Sequence, residues 1–185
     1  NEDQEQKSAA KDFQLAMSET SRNWYALYVK SRQEFTTKEE LLKKGVETFL
    51  PHTRVLRQWK DRRKEIDFPL FPGYLFVNIL STSDYFLSVL KTRGAVNLLA
   101  LSPGKPTPVA PEEIQSLMLL VASGRDIDIY PQLKEGAPVR VRRGPLRGAE
   151  GILGTKQGEH IFLVNIEILG RSVGVKLYAD DIERQ

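Results

Sequence analysis

The sequence predicts an α+β chain in two parts: strands and helices interspersed as far as Gly124, then a small β-barrel. Three observations carry this. Apolar residues recur at both strand and helix spacing between Trp24 and Gly124. Residues 125–132, Arg-Asp-Ile-Asp-Ile-Tyr-Pro-Gln, then break the pattern with alternating acids and a proline. Beyond them the apolar runs are short and punctuated by glycine, and about fifty residues cut that way bury their apolar faces only by curling into a barrel.

Taken in order, residues 1–22 are polar, carry a net charge of −2 and begin with Asn1, so they are expected as a flexible leader outside the fold. Trp24-Tyr25-Ala26-Leu27-Tyr28-Val29 reads as a largely buried strand that stops at Lys30. Ser31-Arg32-Gln33-Glu34 has the capping-box form, so a helix is expected from about Arg32 to Lys44, buried along Phe35, Leu41 and Leu42 and closed by Gly45. Val46 to Leu50 reads as a second strand, followed by a basic excursion or hairpin before Pro69. Tyr74 to Ile79 is the most strand-like segment. Ser83 is expected to cap a short helix with Tyr85, Phe86, Val89 and Leu90 on one face. Val96 to Leu101 returns as a strand. Pro111 opens a last helix with Ile114, Leu117, Met118 and Val121 inward, closed by Gly124. In the second part, strands are expected at 138–142, 151–156, 161–166 and 172–177, with a further one at Ile182. The division is therefore leader 1–22, first domain 23–124, linker 125–132 and barrel domain 133–185.

Composition excludes several classes. The 185 residues contain no cysteine, which removes disulfide scaffolds, thiolate metal sites and thiol enzymes. No apolar run approaches the ~20 residues that span a bilayer, which favours a cytoplasmic chain without membrane partners. Neither His52 nor His160 has a second ligand at metal-binding spacing, and they fall in different expected domains. Gly104-Lys105 lacks the leading glycine and the hydroxyl of a phosphate loop. Glu112-Glu113 and Asp180-Asp181 are sequence neighbours that point apart, with nothing nearby to suggest a raised pKa. No catalytic constellation, metal or cofactor is expected, so the chain is not read as an enzyme.

Charge is informative once divided. Residues 23–125 carry a net +5 and residues 126–185 sum to zero. Arg54, Arg57, Lys60, Arg62, Arg63 and Lys64 fall within eleven residues, opposed there only by Asp61. Such a field attracts nucleic-acid phosphates or an acidic protein surface.

Two motifs are more specific. In the segment from Gly136 to Ile152, Val139-Arg140-Val141-Arg142 alternates buried valine with exposed arginine, and Gly144-Pro145, Gly148 and Gly151 supply the bends of a small barrel. This resembles the KOW motif of transcription elongation factors and ribosomal proteins. Pro69-Leu70-Phe71-Pro72-Gly73-Tyr74-Leu75-Phe76-Val77, after the Trp24-Tyr25 strand and before Thr92-Arg93-Gly94, resembles the amino-terminal (NGN) domain of the NusG transcription-factor family. With Val164-Asn165-Ile166 and Leu169-Gly170-Arg171, the resemblance covers residues 23–185.

The resemblance implies an NGN-type α/β sandwich on a mainly antiparallel sheet, a flexible linker and an SH3-like KOW barrel in a monomeric, cytoplasmic elongation factor. It implies binding to RNA polymerase through an apolar cavity that receives the clamp helices of the largest subunit, with Tyr28, Phe71, Tyr74, Phe76 and Leu117 as candidate linings. The opening strand, the basic excursion and Thr92-Arg93 look closer to the specialised antiterminators typified by RfaH than to the housekeeping factor. That likeness implies contact of Lys30, Thr92 and Arg93 with the exposed non-template DNA strand at a recruitment site, with Arg32, Arg57, Lys60, Arg62 and Arg63 adding backbone contacts. Leu169, Gly170 and Arg171 stand at the barrel's partner site. Leu169 replaces the phenylalanine that serves Rho or ribosomal protein S10 in the housekeeping factor, so Rho is not an expected partner while ribosomal protein S10 stays open. Tyr85-Phe86-Leu87 replaces the His-Thr-Thr stretch that touches the gate loop. The β-branched sequence from Val139 to Val175 favours a barrel over a helical hairpin. The alternatives are a housekeeping factor coupling polymerase to Rho or the ribosome, and an RNA-binding ribosomal or assembly protein built on the barrel.

Overall fold

The computed structural model describes residues 21–132, 136–177 and 182–184, the last three by backbone alone, together with Gln4 and Lys7. Most of the expected leader, and Asp180-Asp181, lie outside the described residues. The first sheet has the order β2-β5-β1-β6, built from β1 (Arg22–Val29), β2 (Glu47–Phe49), β5 (Tyr74–Leu80) and β6 (Ala95–Leu98). All its pairings are antiparallel, with Tyr28 opposite Tyr74 and Ala26 opposite Phe76.

Because side chains alternate across a strand, this sheet has two distinct apolar faces. Leu75, Val77 and Ile79 of β5 join Tyr25, Leu27 and Val29 of β1 in one core with Leu41 and Val89. Those last two residues come from α1 (Glu34–Lys43) and α2 (Ser83–Leu90), which cover that face. On the opposite face Ala26 and Phe76 pack with α3 (Pro111–Ala122), and Phe49 stacks on Phe76 at 6.1 Å. Between β2 and β5 the chain leaves the sheet as a separate ribbon, β3 (His52–Gln58) paired with β4 (Arg63–Pro69).

Several expectations hold and some are corrected. Pro111 opens α3, Gly45 and Gly124 take positive φ just after their helices, and the short helix begins at Ser83. Its cap is Thr82, whose hydroxyl accepts from the Tyr85 N–H at 3.4 Å. The capping box at Ser31 does not form. Arg32 has φ +63, α1 starts at Glu34 without a side-chain cap, and the Glu34 carboxylate accepts instead from the Gly73 N–H at 2.9 Å. Leu41 is buried as expected, whereas Leu42 faces solvent.

The barrel half is a six-stranded sheet, order β12-β8-β9-β10-β11-β7, from β7 (Asp128–Pro131), β8 (Ala137–Val141), β9 (Glu150–Lys156), β10 (Glu159–Ile166), β11 (Arg171–Lys176) and β12 (Ile182–Arg184). The expected linker 125–132 is thus not wholly a tether. Its residues 128–131 are an edge strand on β11, held by backbone bonds that need no apolar face. Gly151 is required by close approach: a Cβ there would run into the Leu163 carbonyl and the Phe162 ring of β10.

The barrel does not stand apart from the first sheet. One apolar cluster includes Phe71, Phe76, Ile114, Leu117 and Leu120 together with Val141, Leu146, Phe162 and Val164. The Ser116 hydroxyl accepts from the Glu150 N–H at 3.0 Å, fixing α3 against β9.

Candidate functional site

The aromatic face begins with alternation along β1 and β5. Tyr28 and Tyr74 are directly opposed, their rings 5.4 Å apart. Tyr28 is 42% exposed, and Tyr74 is half-buried beneath the guanidinium of Arg171, 5.5 Å above its ring. The Gly73 turn that carries this pair is held twice, by Glu34 on its N–H and by Val29, whose N–H donates to the Gly73 carbonyl at 2.8 Å. Phe71, Phe76 and Leu117, expected to line the same surface, are wholly buried in the cluster shared with the barrel. The expected lining therefore separates into an accessible tyrosine pair and a buried floor.

The barrel residues expected to meet another partner lie on this same junction. Leu169 packs against the shared cluster, Gly170 takes φ +59 to end the 3-10 turn Glu167–Leu169, and Arg171 reaches Tyr74. Two surfaces assigned to different partners thus engage one another. Sequence reading missed this, although Leu117-Met118-Leu119-Leu120-Val121 is apolar on more faces of α3 than a single sheet can cover.

Glu113 sits where α3 meets the barrel, its carboxylate accepting from the Glu167 N–H at 3.4 Å. Burial lifts its carboxyl from the ordinary 4.5 to about 7; the Glu167 N–H opposes the shift, while the Glu167 and Glu112 carboxylates reinforce it. The expectation of no raised pKa at Glu112-Glu113 is corrected here for Glu113, which is part-buried beside Glu167, 54 residues further along the chain. The closed junction thus favours protonated Glu113 over the ionised form. The junction is therefore firmest below about pH 4.5 and weakens as pH rises through about 7. Fluorescence energy transfer between labels on α2 and on the β9–β10 turn should fall from pH 5 to pH 8.5, and Glu113→Gln should flatten that change.

Lys30, Arg32 and Arg93 are exposed cations, and the first and last are neighbours because the Lys30 N–H donates to the Gly94 carbonyl at 2.8 Å. Thr92 differs. It is 4% exposed, and its hydroxyl donates to the Ser88 carbonyl and accepts from Lys44 Nζ, both at 3.0 Å. The hydroxyl is spent inside the fold, so Thr92 holds the turn rather than offering a contact. Gly94, at φ +86, packs so closely on Thr37 and Gln33 that any Cβ would collide with both side chains. On α2, Tyr85 and Leu87 are exposed while Phe86 packs edge-on against Tyr25 at 5.2 Å.

The two histidines, far apart in sequence, line one open cleft between the ribbon base and the barrel, together with Arg54, Tyr130 and Lys156. His52 donates to the Leu50 carbonyl at 2.9 Å and stands edge-on to Phe35, a structural role. Among the described residues no three metal-ligating side chains converge, and no helix is long and apolar enough to cross a membrane. The remaining expected contacts, Arg57, Lys60, Arg62 and Arg63, are all exposed on the β3–β4 ribbon.

Comparison with known proteins agrees with this layout. A family model described as transcription termination factor nusG matches residues 22–118, more than half the chain. The transcription termination/antitermination protein NusG of Borreliella burgdorferi is 27% identical over 184 residues, covering 89% of this chain and 99% of that protein. The protein of the same name from Halalkalibacterium halodurans is 28% identical over 178 residues, covering 88% and 98%. A solved structure describing domain interaction in Thermotoga maritima NusG covers 89% of this chain and 97% of its own, at 21% identity and a TM-score of 0.50, a likeness of fold.

Proposed function

This chain belongs to the NusG family, and from that premise we propose that it is a transcription elongation factor that binds RNA polymerase and suppresses pausing and termination, acting as a specialised, operon-restricted antiterminator. The observation that carries the reading is the tyrosine pair on the β1–β5 face. Two neighbouring rings with few rotamers, one 42% exposed and the other half-buried beneath a cation, form an anchor suited to the tip of a helical hairpin such as the polymerase clamp helices. Phe71, Phe76 and Leu117 form the floor beneath that anchor.

The barrel covers part of this surface through Arg171, so polymerase binding is coupled to its displacement. The domains divide near Arg125, with residues 125–127 as the tether and β7 travelling with the barrel. Once displaced, Leu169, Gly170 and Arg171 are free for a second partner, such as ribosomal protein S10, held at high effective concentration. Leu169 in place of an aromatic residue argues against Rho.

Lys30 and Arg93, with Arg32 beside them, lie at the end of the strand that carries Tyr28 and would touch the displaced non-template strand when the anchor engages. Binding that favours the closed, pause-resistant polymerase shifts its population. The test compares elongation scaffolds with and without an exposed non-template strand. Lys30→Ala with Arg93→Ala should remove the preference for the exposed strand and lower the salt slope by about 0.7 per lost phosphate contact; an unchanged preference would reject these residues. The matched relatives are named for termination as well as antitermination, which keeps a housekeeping factor as the second reading. Stimulated Rho-dependent release would establish it over the specialised one. A ribosomal protein built on the barrel does not account for the match over residues 22–118.

A further inference from the structure

The β3–β4 ribbon is a two-stranded sheet on its own, and every residue from Arg54 to Glu65 is exposed. An isolated two-stranded hairpin is marginally stable, and this one is anchored at its base, where the Leu70 N–H donates to the Pro51 carbonyl at 2.8 Å. Register assigns its two faces. Pairs Thr53–Phe68, Val55–Ile66 and Arg57–Lys64 share one face, and the alternate pairs Arg54–Asp67, Leu56–Glu65 and Gln58–Arg63 share the other. The Trp59 N–H donates to the Arg62 carbonyl at 2.8 Å, so this pair continues the register and adds Trp59 and Arg62 to the first face.

The faces differ in charge. On the second, Arg54 lies 3.5 Å from Asp67 and 3.8 Å from Glu65, so the strands' acids meet a cation there. The paired positions of the first face carry no acid: Phe68 stands at one end and Trp59 beside Arg62 at the other, with Val55–Ile66 and then Arg57–Lys64 between them. The Arg57 guanidinium stands 5.9 Å from the Phe68 centroid and Arg62 stands 5.8 Å from that of Trp59, leaving Trp59 45% and Phe68 42% exposed.

We propose that this face of the ribbon is a platform for single-stranded nucleic acid, on which Trp59 and Phe68 stack bases while Arg57, Arg62 and Lys64 follow the phosphates. It deepens the reading above, which supplies the ribbon with backbone contacts only, and it removes Arg63 from the contact face. Cations interleaved with accessible rings match the stacking and charge of an unpaired strand. An acidic protein surface would also meet the cations; the guanidinium-flanked rings Phe68 and Trp59 on a face without acids favour stacked bases, and competition with polyglutamate tests that choice. From the Thr53–Phe68 pair to the Trp59–Arg62 pair is six residues, about 20 Å, enough for about six nucleotides at ~3.4 Å each.

The test titrates the full chain, without polymerase, with a labelled 15-nucleotide oligothymidine, the same length of duplex DNA, and polyglutamate as competitor. Single-strand binding should weaken roughly 5- to 100-fold in Trp59→Ala, recover in Trp59→Phe, and keep its strength in Leu56→Ala on the opposite face. Lys64→Ala should lower the salt slope by about 0.7. Equal binding by Trp59→Ala and the parent, tighter binding to duplex, or displacement by polyglutamate at equal charge would each overturn the platform. The same proteins are assayed on an elongation complex. Failure there with single-strand binding intact rejects the polymerase reading and leaves the platform standing.

Discussion

Phe76→Ala is expected to destabilise the chain by about 3–5 kcal/mol. Phe76 is fully buried, stacks on Phe49 and belongs to the cluster that joins the first sheet, α3 and the barrel. Its removal leaves a cavity that neither β2 nor α3 can close without giving up their pairing or packing. Against a total stability of 5–15 kcal/mol typical of such proteins, this is a large share, and the thermal midpoint should drop by roughly 6–20 °C. Thermal unfolding monitored by circular dichroism checks it; a shift under about 2 °C would remove Phe76 from the floor and return it to the accessible surface.

Tyr28→Ala with Tyr74→Ala is expected to do the opposite: little loss of stability and a loss of polymerase affinity of two orders of magnitude or more. Aromatic anchors at interface centres cost about 2 kcal/mol or more each when truncated. The change at Tyr74 also deletes the cation–π contact with Arg171, worth about 0.5–1 kcal/mol at an exposed site, and so loosens the barrel. Loosening favours polymerase binding, but it is the smaller effect, so net binding falls. Arg171→Ala alone separates the two, since it loosens the barrel and keeps both tyrosines; its affinity should rise about 2- to 5-fold.

What the sequence showed of this molecule depended on how local its causes were. The strands at Trp24 and Tyr74 and the helix opened by Pro111 were legible because alternation, β-branching and a proline at the first helical turn are written within a few residues. Glu34 has the spacing of a capping residue, but the N–H it bonds, that of Gly73, arrives from 39 residues away. Residues 128–131 look like linker in the sequence because an edge strand held by β11 needs no apolar face. The candidate surfaces divide in the same way. The family resemblance offers Tyr28, Tyr74, Lys30 and Arg93 as candidates together with Phe76, Leu117 and Thr92, whereas burial of Phe76 and Leu117, the spent hydroxyl of Thr92 and the meeting of Arg171 with Tyr74 follow from tertiary packing. Trp59 carries no signal within the basic stretch of the sequence, yet its position opposite Arg62 at the ribbon tip decides which cations share a face with a ring.

The central claim is that the β1–β5 tyrosine face docks on RNA polymerase. Its most direct measurement is a titration of fluorescently labelled chain against a reconstituted elongation complex, with the parent, Tyr28→Ala with Tyr74→Ala, and Arg171→Ala in parallel. The expected result is saturable binding by the parent, tighter binding by Arg171→Ala and at least a hundredfold loss in the tyrosine pair, with all three chains folded. Binding by the tyrosine variant equal to the parent would contradict the account.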